Sequence, residues 1–121
     1  MLVATTHWLF MTLRRLGRAE EAARLLRPVT EGMDVIENEE YYRLLRMYQG
    51  KVSREALLEE TARTNNPLAL STLGYGVGSD LLSSGRNEEA IRIFRRVLAT
   101  SEWAAFGYIA AEAELARLDR R

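Results

Sequence analysis

The chain has 121 residues, 47% of them hydrophobic and 28% charged, which is one domain's length with enough apolar material for a core that needs no staples. Seventeen basic and 17 acidic residues give a formal net charge of zero, which argues against a general nucleic-acid or anionic-membrane surface. Cysteine is absent and His7 is the only histidine, so disulfides, thiolate nucleophiles and cysteine or multi-histidine metal sites are excluded, and no cofactor is expected.

The first predicted element is a helix over Val3 to Leu16, with Val3, Leu9, Phe10, Leu13 and Leu16 at helical spacing. Its opening, M-L-V-A-T-T-H-W-L-F-M, has neither a basic n-region nor a small-residue cleavage site, and no apolar run reaches the roughly 18 residues of a membrane span. A cytoplasmic protein without membrane contact is therefore expected. Gly17 ends the helix, because glycine takes the left-handed conformation at little cost. A second helix is predicted over Ala19 to Thr30, with Ala22, Ala23, Leu26 and Val29 on one face. Glu20 and Glu21 suit its positive end, and Gly32 stops it. Glu31 to Glu40 holds five acids and no base. It lacks the alternating oxygen ligands and central glycine of a calcium loop and reads as a solvated linker.

Asn38 to Gln49 is the third helix, carrying Tyr41, Leu44, Leu45 and Tyr48, and Gly50 closes it. Ser53 is placed to cap a fourth, with Ala56, Leu57 and Ala62 facing inward. Asn66-Pro67 pairs a cap with a proline at the first helical position, opening a fifth helix that runs toward Gly85. Asn87 is expected to cap the sixth, with Ala90, Ile91, Phe94, Val97 and Leu98. Ser101 opens the last, which carries Trp103, Phe106, Ile109, Leu115 and Leu118. The count is seven helices and no strand.

Within the fifth helix lies L-G-Y-G-V-G-S, residues 73–79. No strand precedes it, and neither G-x-G-x-x-G nor G-K-[S/T] spacing is present, so a phosphate-cradling loop is rejected. Gly74 and Gly78 are four apart and share a face. Helical glycines cost about 1 kcal/mol each relative to alanine, which points to a close approach by a neighbouring helix.

A period of 34 residues runs through these elements. Ala22, Ala56 and Ala90 sit on it in the frames E-E-A-A-R-L-L, R-E-A-L-L and E-E-A-I-R-I-F, each shortly after Gly17, Gly50 or Gly85. Leu13, Met47, Leu81 and Leu115 share the grid, as do the rings of His7, Tyr41 and Tyr75. The stretches L-R-R-L-G-R-A-E-E-A-A-R-L-L and L-L-S-S-G-R-N-E-E-A-I-R-I-F-R-R-V-L resemble the tetratricopeptide repeat family. In the third unit Gly78, Leu81, Gly85, Ala90, Phe94 and Leu98 fall at the family's small and large positions. In the first, Leu13, Gly17, Ala22 and Leu26 do. The second unit departs: one extra residue separates Gly50 from Ala56, and Glu60 stands where a large apolar residue is expected.

The resemblance implies an all-α single domain over residues 1–121. It would be a right-handed superhelical stack of antiparallel helix pairs, a tetratricopeptide-like α-solenoid. Repeats would span about 3–36, 37–70 and 71–104, with a capping helix at 102–119. It also implies a concave groove lined by the first helix of each unit: His7, Met11, Arg14 and Arg15, then Tyr41, Leu45, Tyr48 and Gln49, then Tyr75, Ser79 and Leu82. His7, Tyr41 and Tyr75 would form a ladder of rings, exposed at Tyr41 and Tyr75, with Arg14 or Arg15 meeting an acidic group. The family's carboxylate clamp of Lys, Asn and Arg is absent, since the corresponding positions hold His7, Met11, Tyr42, Thr72 and Gly76. No nucleophile–base set accompanies His7, so no enzymatic activity is expected. The expected function is a non-catalytic protein-interaction module that binds a peptide or helical segment in the groove. The alternative is a self-assembly domain of a larger protein, associating through the last helix.

Overall fold

A computed structural model describes residues 3–31, 39–100 and 106–119. Among them every regular element is an α-helix: α1 (Val3–Arg15), α2 (Ala19–Leu25), α3 (Glu39–Tyr48), α4 (Arg54–Arg63), α5 (Pro67–Ser83), α6 (Asn87–Leu98) and α7 (Phe106–Asp119). The all-α class and the seven helices match the sequence reading. Packing divides the chain into two compact units, Met1–Ser53 and Arg54–Arg121. The division runs between α3 and α4, the two helices that the 34-residue period assigns to one repeat. None of the described helices is long and apolar enough to cross a membrane.

In the first unit α1 packs against α2 and α3. α1 ends at a left-handed glycine, Gly17, with φ +78°. The Gly17 amide donates to the Arg14 carbonyl (3.1 Å) and the Arg18 amide to the Leu13 carbonyl (2.9 Å), the paired bonds of a Schellman turn. The same pairing recurs after α3, where Gly50 donates to Met47 and Lys51 to Arg46, and after α5, where Gly85 donates to Leu82 and Arg86 to Leu81.

α2 is shorter than expected. It ends at Leu25, and turns follow through Pro28. Proline cannot donate to the helix ladder and its ring crowds the preceding turn, so Pro28 stops what the apolar pattern alone would extend to Thr30. Ala22, Leu26 and Val29 are buried as expected, whereas Ala23 is exposed. Gly32 and most of the acidic stretch from Glu31 to Glu40 lie outside the described residues.

In the second unit α5 packs against α4, α6 and α7. Asn66 caps it: its Oδ1 accepts from the amides of Leu68 (3.0 Å) and Ala69 (3.2 Å), with Pro67 in the first turn. Residues 70, 71, 73–79 and 81 are all buried. A Cβ on Gly78 would lie inside contact distance of the Phe94 ring, and one on Gly74 would stand 2.7 Å from Val97 Cγ2. The two glycines are therefore the seam by which α5 meets α6. Gly107 does the same work for α7, since a Cβ there would overlap the Ser71 carbonyl.

Two sequence expectations need correction here. Asn87 does not cap α6; Arg86 holds that position without a side-chain cap bond, and Asn87 is the first helical residue. Ala56 and Ala62 do not face inward. They are exposed, and α4 buries Leu57 and Thr61 instead. The buried positions of α4 lie seven and eleven residues after Gly50, against five and nine residues after Gly17 and Gly85 for Ala22 and Leu26 and for Ala90 and Phe94, so the inward stripe is off the alanine grid. Ser101 and Trp103 lie outside the described residues.

Candidate functional site

The eleven residues expected to line a groove divide by burial. His7, Met11, Tyr41, Leu45, Tyr75 and Ser79 are buried. Arg14, Tyr48 and Gln49 are half-buried, as is Leu82, and only Arg15 is exposed. Tyr41 and Tyr75 retain 8% and 6% of their surface, so the expectation that both rings are open to solvent does not hold. Tyrosine fits a core as well as a groove, because only its hydroxyl needs a polar partner.

Within the first unit these side chains form one cluster. The His7 ring lies 5.0 Å from Tyr41 and 5.7 Å from Tyr48, and its Nε2 is 2.9 Å from the Tyr48 hydroxyl. The Trp8 indole donates to the Tyr41 hydroxyl at 3.3 Å. Phe10 stacks on Tyr48 at 4.5 Å, and the Arg14 guanidinium stands 4.9 Å and 5.1 Å from these two ring centroids, a cation–π arrangement. The Tyr48 hydroxyl points at Met11 Sδ, 3.9 Å away, so a proton on His7 Nε2 satisfies the contact between the two. Nδ1 then has no hydrogen-bond partner among the described residues. Burial, reinforced by the Arg14 charge, pushes the imidazole pKa down to about 3. The ring stays neutral at ordinary pH and is too weak a base for proton transfer there. It is a core group. Tyr75 likewise stacks on Phe94, 5.7 Å between centroids, inside the second unit.

The open chemistry of the first unit lies on another face of α3. Glu31, Tyr42, Arg43, Arg46, Lys51 and Val52 line a cleft of about 390 Å³. Its walls are fixed by backbone carbonyls beyond α2. Tyr42 donates its hydroxyl to the Thr30 carbonyl (2.6 Å). Arg46 Nη1 reaches the Val29 carbonyl (3.4 Å) and Gln49 Oε1 (3.0 Å). Gln49 Nε2 donates in turn to Leu26 (2.8 Å) and Val29 (3.1 Å). Gln49, expected in the groove, thus acts as a brace. Lys51 and Val52 are delivered by the left-handed turn at Gly50, and both their amides donate to the Arg46 carbonyl, at 2.9 and 3.3 Å. Among the described residues its lining carries the side chains of Arg43, Arg46, Lys51 and Glu31.

The sequence carried a signal for this cleft that the repeat pattern hides. Tyr42, Arg43 and Arg46 follow helical spacing on the face of α3 that Tyr41, Leu45 and Tyr48 leave free. Among the described residues no group of His, Cys, Asp and Glu side chains is placed to hold a metal ion. Comparison with protein-family models, with curated proteins and with solved structures found no match to this chain.

Proposed function

We propose that the chain is a non-catalytic interaction module of the tetratricopeptide kind, whose helices stack as antiparallel pairs in a right-handed solenoid and bind a segment of a protein partner. The observation that carries this reading is the Schellman turn repeated at Gly17, Gly50 and Gly85, each with φ between +76° and +79°. Repeated turns at this spacing belong to architectures that present one helix of every unit to a ligand. The bidentate pairs Arg18–Glu21 (2.7 Å) and Arg86–Glu89 (2.6 Å), which open α2 and α6 one residue after their glycines, add to it. In this reading Tyr41 and Tyr75 shape the wall, and the side chains left to meet a partner in the first unit are Arg14, Arg15 and Tyr48.

The test is photo-cross-linking in the host cell from a photoreactive residue at position 15, with position 92 on α6 as the control, since Arg15 and Arg92 are both exposed. A discrete protein adduct from position 15 and none from position 92 is the expected result. Equal labelling from both positions would overturn the reading. Self-association through α7 is the second reading, favoured by Ile109, half of whose surface is open. Sedimentation at rising concentration separates the two readings, because a constant monomer removes the second.

A further inference from the structure

We infer that the chain docks head to tail on a second copy of itself, the open face of α7 in one copy covering the open face of α1 in the other. The inference rests on the second reading above, self-association through α7, and deepens it by naming the surface that α7 meets. The 34-residue period is the first argument. α7 lies three periods after α1, so Gly107, Ala111, Glu114 and Leu118 match Thr5, Leu9, Thr12 and Leu16. On α7 the first three are buried and Leu118 is half-buried. On α1 all four are exposed, Leu9 by 45% and Leu16 by 64%. The opposite face is reversed. Ile109, Ala113 and Ala116 match His7, Met11 and Arg14, and α7 leaves all three exposed, Ile109 by 50%. α1 buries His7 and Met11 and half-buries Arg14. Each helix thus leaves open the face that the other has covered.

A contact within the chain is the second argument. α7 packs on α5 and α6, and the Ser71 carbonyl of α5 comes so close to Gly107 that a Cβ there would overlap it. Ser71 and Tyr75 are four apart on α5 and share a face, the one that Ile109 continues on α7 one period later. α7 of one copy therefore takes on α1 of the next the place that α5 takes on α7. Polarity selects the occupant. No Asp, Glu, Lys or Arg occurs from Met1 to Leu13, and the open positions of α1 are leucine and threonine. The Thr12 hydroxyl donates to the Trp8 carbonyl at 2.9 Å, so its hydrogen bond is made within the helix. On α3 the matching positions hold Glu39, Arg43 and Arg46, which suits it less as a seat for Ile109, Ala113 and Ala116. Two uncharged faces gain by leaving water together. Glu112 is exposed at the margin of the α7 stripe.

The experiment is sedimentation velocity on the full chain across a micromolar concentration series. One helix on one helix is a small interface, so the wild type is expected to associate weakly and with clear dependence on concentration. Leu9→Glu and Ile109→Glu should each weaken association by about thirtyfold or more, because each puts a charge into the apolar contact. Ala62→Glu makes the same change in charge at an exposed position of α4 and should leave association within about twofold. The substituted side chains are exposed, so the variants retain their fold, which circular dichroism checks. Where it shows a loss of helix, Leu16→Glu replaces Leu9→Glu and Ala113→Glu replaces Ile109→Glu. The decisive measurement is the mixture. Leu9→Glu keeps an intact α7 and Ile109→Glu an intact α1, so the two together are expected to form a pair that neither forms alone. A monomeric wild type would overturn both the inference and the reading it rests on. Association lost in Ile109→Glu but kept in Leu9→Glu would leave that reading standing and overturn the inference, as would a mixture that stays monomeric.

Discussion

α2 and α6 begin alike and end differently. Each follows a left-handed glycine, opens with an Arg–Glu pair three residues apart, and buries an alanine five residues after the glycine: Ala22 in one, Ala90 in the other. The next buried positions also correspond, Leu26 with Phe94 and Val29 with Val97. Yet α2 has 7 residues and α6 has 12. The divergence falls at one site, eleven residues after each glycine, where the first unit has Pro28 and the second has Arg96. Arg96 keeps the helix running and donates to the Thr61 carbonyl at 2.6 Å. Pro28 stops the helix; the Leu26 carbonyl accepts from the Val29 amide and from Gln49, and the Val29 and Thr30 carbonyls accept from Arg46 and Tyr42 of α3. The break in α2 thereby creates the acceptors that brace Gln49, Arg46 and Tyr42. The two cores differ as well. The first unit packs α1 on α3 through a titratable ring, and the second packs α5 on α6 through backbone against Phe94 and Val97.

The strongest way to break this comparison is to empty the matched core positions. Phe94→Ala is expected to cost about 3–5 kcal/mol, and Leu26→Ala about 2–5 kcal/mol, because both remove a fully packed side chain. Urea denaturation measures both, and an unchanged midpoint for either would show that the two helices are not equivalent in packing. A change of pH should then separate the units. His7 has a folded pKa near 3, below its ordinary value of 6.5, so the unfolded chain binds the extra proton in that interval. The stability from neutral His7 is complete above pH 6.5 and falls as the pH drops toward 3, at a slope of up to about 1.4 kcal/mol per pH unit. Amide exchange should show this loss in α1 and α3, and His7→Phe should remove that component. A pH dependence the same with and without His7 would refute the assignment.

A finer probe is Gly78→Ala. Helix propensity alone would make it stabilising by about 1 kcal/mol. Overlap with the Phe94 ring should reverse the sign and give a net cost of about 1–3 kcal/mol. A stabilised variant would mean that α5 and α6 stand further apart. The smallest effect belongs to Pro28→Ala. It should lengthen α2 by about one turn, visible as added helical ellipticity, with stability changed by no more than about 1 kcal/mol.

Local chemistry carried much of this into the sequence. Gly17, Gly50 and Gly85 each close an apolar helical run and open onto a polar stretch that begins with a cation, so their left-handed stops were readable without tertiary information. The Asn66-Pro67 start was readable for the same reason. Gly74 and Gly78 were legible through the absence of any phosphate-loop spacing, and they do face a neighbouring helix. The second unit was not legible in phase, because only packing decides that Leu57 rather than Ala56 goes inside. Burial of Tyr41 and Tyr75 was hidden because their hydroxyls permit either environment. The cleft was hidden most of all: its carbonyls, its brace and its cations come from three separate stretches that meet only after folding.

The three left-handed glycines carry a last consequence. At φ of +76° to +79° an L side chain is strained, although nothing lies within 4 Å of where its Cβ would stand at Gly17, Gly50 or Gly85. For a residue of the opposite chirality that dihedral is the relaxed one. These positions are therefore enantioselective sites within an ordinary chain. D-alanine installed there by chemical synthesis would fill empty solvent, keep every turn bond, and narrow the unfolded ensemble. L-alanine, with the same atoms, would oppose the turn.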